Sequence, residues 1–88
     1  MKYIGLIKFK KKPTKEMIKY NLEMLDNDEK RGIHVIEVYW TLGRYDAVVI
    51  FDSPDEKLAM LSSIERGDNM SQETMVAIPA VEARKLVT

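Results

Sequence analysis

The chain has no cysteine among its 88 residues, and only one histidine and one tryptophan. Without thiols there is no disulfide framework, no thiolate nucleophile and no cysteine-ligated zinc or iron–sulfur centre. One histidine cannot build a multi-histidine metal centre, so neither a metal nor another cofactor is expected. Long apolar runs are missing too: none approaches the roughly 18 residues of a membrane span. The opening 1-MKYIGLIKFKKKP-13 alternates like a strand and lacks a signal peptide's unbroken apolar stretch and small-residue cleavage site. The expectation is a cytoplasmic protein with no membrane partner. Net charge is also zero, since 14 Lys/Arg balance 14 Asp/Glu. The balance is uneven along the chain: residues 1–31 hold nine Lys/Arg and five Asp/Glu (+4), and residues 32–88 hold five and nine (−4). Such an imbalance reads first as solvated surface, and second as attraction between copies or to an anionic ligand near the N-terminal half.

What is present is ordinary for one folded domain spanning residues 1–88, with 45% hydrophobic and 32% charged residues. Residues 2–9 form a strand rich in β-branched and aromatic side chains, closed by lysines and Pro13. A helix is expected from about Thr14, a capping residue, to Arg31, with Gly32 at the left-handed position beyond its end. Ile18, Leu22 and Leu25 make its inward stripe, flanked by Met17, Asn21 and Met24. Residues 33–42 form a second strand, 43–45 a turn and 46–52 a third strand. In 53-SPDE-56, Ser53 reads as N-cap, Pro54 as the first helical residue and Glu56 as the returning carboxylate of a capping box. That helix runs to about Arg66 with Leu58, Leu61 and Ile64 inward, and Gly67 ends it. A fourth strand over 70–80 and a short helix over 81–87 complete the chain.

The order β-α-β-β-α-β is the α+β, ferredoxin-like arrangement: a four-stranded antiparallel sheet with two helices on one face. A sheet with one wet face should alternate apolar and polar residues, yet the second strand is substantially apolar on both faces and 47-AVVIF-51 is apolar throughout. Two helices cover one side only. A second copy packed sheet to sheet would cover the other, and a chain this short gains from the added burial. The expected partner is therefore the chain itself.

Leu42-Gly43-Arg44-Tyr45-Asp46 joins the middle strands. It resembles the Leu-Gly-x-Tyr-Asp signature of the GYD domain family, small proteins of the dimeric α/β-barrel group. The likeness extends to Tyr39 and Trp40 before it, to Asp52, Pro54 and Asp55 after the third strand, and to Thr74 and Ala77 near the end. The resemblance implies a dimeric barrel built on two facing sheets, with Gly43, Tyr45 and Asp46 as motif residues. It does not name a reaction, because related barrels include monooxygenases, isomerases and amino-acid-sensing regulatory domains.

The motif has two readings. Structurally, Gly43 supplies a positive φ, Asp46 bonds nearby turn amides and Tyr45 packs over the hairpin with its hydroxyl in water. Functionally, Tyr45 and Asp46 form a donor–acceptor pair at the mouth of a cleft, with Gly43 shaping the turn. Glu37 and His34 are the acid/base candidates: a glutamate on an apolar sheet face can titrate high enough to act as a base. Simple alternation puts Glu37 and Tyr39 on one face and His34 on the other. Glu73 is a candidate second carboxylate. The blander account has Glu37 reaching solvent or a lysine at a strand edge, and His34 partly exposed.

RNA-recognition motifs share this element order, but 44-RYDAVVIF-51 has Asp46 and Val48 where their base-stacking aromatics belong. Nucleic acid is thus a poor third reading. The leading one is a small-molecule binding or sensing module taking an apolar or carboxylate ligand, between sheet and helices or at the subunit interface. The alternative is a cofactor-independent barrel oxygenase or isomerase using Glu37 or His34.

Overall fold

Thr14 and Gly32 bound the first helix, and each does so through a specific backbone bond. In the computed structural model, which describes residues 1–87, β1 (Lys2–Phe9) leads to α1 (Lys15–Lys30) and β2 (His34–Trp40). Then follow β3 (Ala47–Asp52), α2 (Glu56–Glu65), β4 (Met70–Val76) and α3 (Ala80–Arg84). The Thr14 hydroxyl accepts from the Met17 amide at 3.1 Å, satisfying one of the unpaired amides of the first turn. Gly32 takes φ +92°, which lets the Ile33 amide turn back to the Asp28 carbonyl at 2.9 Å.

The second helix begins later than the sequence predicts. Ser53 is buried, and its backbone exchanges bonds with Met1: its amide donates to the Met1 carbonyl at 2.9 Å, and the chain's amino terminus donates to its carbonyl at 2.8 Å. Held there as an extension of the sheet, Ser53 cannot cap. Asp55 does so instead, accepting from the Leu58 amide at 2.9 Å, and Ser53 braces the loop by donating to the Asp55 carbonyl.

The four strands make one antiparallel sheet in the order β2-β3-β1-β4, the α+β ferredoxin-like arrangement. Tyr3, Ile7, Ala47, Val49 and Phe51 are buried on one face, where they cluster with Ala59 of α2 and with Ile33 and Met70. Tyr3 and Phe51 stack with centroids 5.3 Å apart. The other face carries Ile4, Leu6, Val48 and Ile50, which are half-buried, and Met75, which is exposed, while α1 and α2 lie over the first. α3 buries none of its side chains: its Val81 is exposed, as is Leu86 beyond its end.

Both helical stripes depart from the expectation. In α1 the buried positions are Met17, Met24 and Asp28, while Ile18 and Leu22 are exposed. In α2 they are Ala59 and Ser62, with Leu61 and Ile64 outward. The reason is an interaction that apolar periodicity does not register. Asp28, 2% exposed, accepts from Arg66 Nη2 at 2.7 Å and from the Ser62 hydroxyl at 3.1 Å, and Arg66 also donates to the Ser62 carbonyl at 3.1 Å. Small residues at 59 and 62 let α2 approach, and the ion pair sets the phase of both helices.

A buried pair is costly to break, because removing one member leaves the other charged and without compensation. Asp28→Ala is therefore expected to lower unfolding free energy by about 3 kcal/mol or more, read as a fall in the urea midpoint. Arg31 and Glu65, which join the same helices through two hydrogen bonds at the solvent edge, serve as the control. A loss from Asp28→Ala no greater than that from Glu65→Ala would show that the buried pair does not hold the helices.

Candidate functional site

Two places on the molecule concentrate chemistry: the 43–46 hairpin corner, and a cavity beneath α1.

At the corner, Gly43 adopts φ +112°, and a Cβ there would meet no atom within 4 Å. Its role is backbone conformation, not close approach. Asp46 is committed to the sheet. Its amide donates to the Ile7 carbonyl at 2.8 Å, its carbonyl accepts from the Thr41 amide at 2.9 Å, and its carboxylate accepts from the Phe9 amide at 2.8 Å. Pairing between β1 and β3 ends at Ile7 and Ala47, so the carboxylate supplies the acceptor that the ladder no longer provides. Tyr45 donates from its hydroxyl to Glu73 Oε2 at 3.0 Å, and the Arg44 guanidinium lies 5.6 Å from its ring centroid. The Tyr45 phenol thus pairs, at the surface, with a carboxylate of β4 on the far side of β1.

β2 overturns one expectation. Val35 pairs with Phe51 and Glu37 with Ile50, so Ile36 is an extra residue, a β-bulge. The bulge shifts the alternation by one. His34, Glu37 and Tyr39 consequently face the same way, opposite Asp52, Ile50 and Val48 on the open face. They still form no compact acid/base site. His34 Nδ1 lies 2.9 Å from Glu29 Oε1, and Glu37 accepts from the Tyr39 hydroxyl at 2.5 Å. Glu73 sits on the opposite edge strand, three strand spacings or about 14 Å from Glu37's strand.

The cavity lies on the other side of the sheet and has a volume of about 270 Å³. Its floor is Ile7, Ala47, Val49 and Phe51; its roof is Ile18, Leu22 and Leu25 of α1. Phe9 and Trp40 meet edge to face at one side, centroids 5.3 Å apart, and Trp40 remains 62% exposed. The bulge matters here as well, because it returns Val38 and Trp40 to this face in register with Val49 and Ala47. Of the polar lining, which also includes Gln72, the residues Asp28, Ser62 and Arg66 are already bonded to one another. Asn21 also lines it. Neither Tyr45, Asp46, His34 nor Glu37 does.

With this geometry in place, comparison with known sequences is decisive for family. A model of the GYD domain matches residues 3–87, nearly the whole chain. The chain belongs to the GYD domain family. No curated protein matches it. The GYD residues Gly43, Tyr45 and Asp46 are thus the hairpin corner, and the cavity lies outside the motif. The inward stripe expected from the sequence, Ile18, Leu22 and Leu25 flanked by Met17, Asn21 and Met24, does not reach Asp28, yet a signal was present. With Met17 and Met24, Asn21 and Asp28 form a 17-21-24-28 helical row in which two polar residues share an apolar stripe.

Both open-face phenols titrate above the ordinary tyrosine value near 10. For Tyr45 the chief cause is the hydrogen bond to Glu73, then burial, offset in part by Arg44. For Tyr39 it is the bond to Glu37, then that carboxylate's charge. A raised folded-state value means the neutral phenol is favoured in the fold. The stabilisation is complete below pH 10 and is lost as pH rises through the folded values. Tyrosine ¹³Cζ NMR titration should show Glu73→Gln moving Tyr45 back toward 10 and leaving Tyr39 in place. An unmoved Tyr45 would mean that the pair does not form in solution.

Proposed function

We propose that this GYD-family protein is a cytoplasmic small-molecule binding or sensing module, acting as a homodimer, with its ligand in the cavity between α1 and the sheet. The observation that carries the reading is the cavity itself. Most of its lining is apolar or aromatic, the polar groups are few, and about 270 Å³ approaches the size of sites for small organic ligands. The chemistry of the lining favours an apolar ligand over a carboxylate. Arg66, the cation within reach, is committed to Asp28 and Ser62.

The homodimer rests on the sheet face opposite α1 and α2. Two rows cross it, Tyr39-Val48-Leu6-Glu73 and Glu37-Ile50-Ile4-Met75, each with two strongly apolar residues at the centre; the first ends in Tyr39 and Glu73, the second in Glu37 and the exposed Met75. A second copy related by a twofold axis would bring apolar centre onto apolar centre, which suits the isologous interface of a small domain. The oxygenase or isomerase alternative draws no support from this geometry, because His34 and Glu37 lie on the face away from the cavity.

Naphthalene is a suitable neutral probe. Its addition to ¹⁵N-labelled protein should shift amides around Leu25, Val38, Trp40 and Val49 in a saturable way, and shifts scattered over the surface or absent would reject the site. Native mass spectrometry addresses assembly separately. The untagged protein should appear at twice the chain mass, and Leu6→Glu, which places a charge at the centre of the open face, should appear as a folded monomer. A wild-type monomer at micromolar concentration would remove the dimer from the proposal.

A further inference from the structure

On the sheet face opposite α1 and α2, charge follows the strands. Alternation along β1 puts Lys2 and Lys8 on this face, one at each end of the half-buried Ile4 and Leu6. Along β3 it puts Asp52 there, paired with Lys2, at one end of Ile50 and Val48. Asp46 stands at the other end, one residue before β3 and in step with Lys8. On this face β1 is therefore positive at both ends, β3 is negative at both ends, and the apolar centre lies between. Among the described residues, the Lys2, Lys8 and Asp52 side chains join no ion pair within the chain. The Asp46 carboxylate accepts from the Phe9 amide and meets no cation there.

We propose that this pattern fixes how a second copy docks: face to face, about a twofold axis running along the strands, so that β1 of each copy lies over the partner's β3. The inference deepens the homodimer reading above and rests on it. Two facing sheets admit two simple twofold arrangements. With the axis along the strands, Lys2 meets the partner's Asp52 and Lys8 meets the partner's Asp46, each twice by symmetry. Ile4 then packs on the partner's Ile50, and Leu6 on the partner's Val48. At the edges, Tyr39 of β2 comes over the partner's Glu73. With the axis across the strands, β1 would lie over the partner's β1. Lys2 would then face the partner's Lys8, and Asp52 the partner's Asp46. Apolar centre meets apolar centre in both arrangements, so burial does not choose between them. Charge does, because like charges set against each other across an interface are strongly unfavourable.

The test mixes two charge-reversed proteins, Lys2→Glu and Asp52→Lys, one of them ¹⁵N-labelled, at low ionic strength, where surface charges are least screened. Native mass spectrometry reads the dimers. Each variant alone is expected to dimerise at least about tenfold more weakly than the wild type, because like charges then face each other across the axis. Mixed, the two are expected to recover the dimer as a heterodimer in clear excess over random exchange, since each reversed residue meets an opposite charge. Random mixing, or no dimer recovered on mixing, would overturn the orientation and leave the wild-type dimer standing. A Lys2→Glu dimer tighter than the wild type would also overturn it, since that is the outcome when residue 2 faces the partner's Lys8. A wild-type protein that stays monomeric would remove the dimer reading and this inference with it. Lys2 is exposed, so the sign of its effect decides the matter even if Asp52→Lys does not fold.

Discussion

One buried charge organises this small protein. Asp28 sits in the last turn of α1, where the helix dipole disfavours an anion, and it is almost wholly removed from water. The position is tenable because Arg66 and Ser62 of the α2 end meet it from the other helix. That requirement fixes how the helices lie. The inward row of α1 is Met17, Asn21, Met24 and Asp28, so its larger aliphatics Ile18, Leu22 and Leu25 turn to roof a space instead of closing onto the sheet. The cavity is thus a consequence of joining two helices through a charge pair. An all-leucine stripe would be expected to collapse it.

The GYD hairpin solves a different problem. β3 must leave β2 by a tight turn and immediately pair with β1, and the ladder runs out before the end of β1. Gly43 provides the left-handed backbone, and the Asp46 carboxylate takes the Phe9 amide that would otherwise lack an acceptor. Phe9 in turn carries the ring that meets Trp40 beside the cavity. The motif therefore reaches the cavity indirectly: Asp46 fixes the backbone of Phe9, and Phe9 shapes the wall. Tyr45 faces the other way, toward Glu73.

How far the sequence could be read follows the same physics. Element order, the Thr14 cap and the Gly32 stop were legible because each depends on neighbouring residues alone. The cap of α2 was not, since Ser53 qualifies locally and is disqualified only by its bonds to Met1, 52 residues away. The bulge at Ile36 was hidden for a similar reason. Nothing in 34-HVIEVY-39 marks an extra residue until the strand is laid against β3, and one insertion is enough to bring His34 to the face of Glu37. The inward rows were misjudged because hydrophobicity was taken as the guide to burial, whereas Asp28, Ser62 and Arg66 are inward on account of one another.

The two faces of the sheet are linked through β3. Ala47, Val49 and Phe51 form the floor of the cavity, and the intervening Val48 and Ile50 stand on the open face. A ligand below and a second copy above would press on alternate residues of the same strand. Such contact does not by itself make a sensor. A ligand shifts an assembly equilibrium only by the difference in its affinity for the two states. Movement of β3 is restricted by hydrogen bonding on both sides, to β1 and to β2. The β2 side is the looser of the two, because the bulge interrupts its ladder and Val38 and Trp40 lie beyond the interruption. Those residues line the cavity, while Glu37 and Tyr39 of the same strand border the open face. β2 is therefore the element through which occupancy of the cavity can reach the surface that a partner copy would cover.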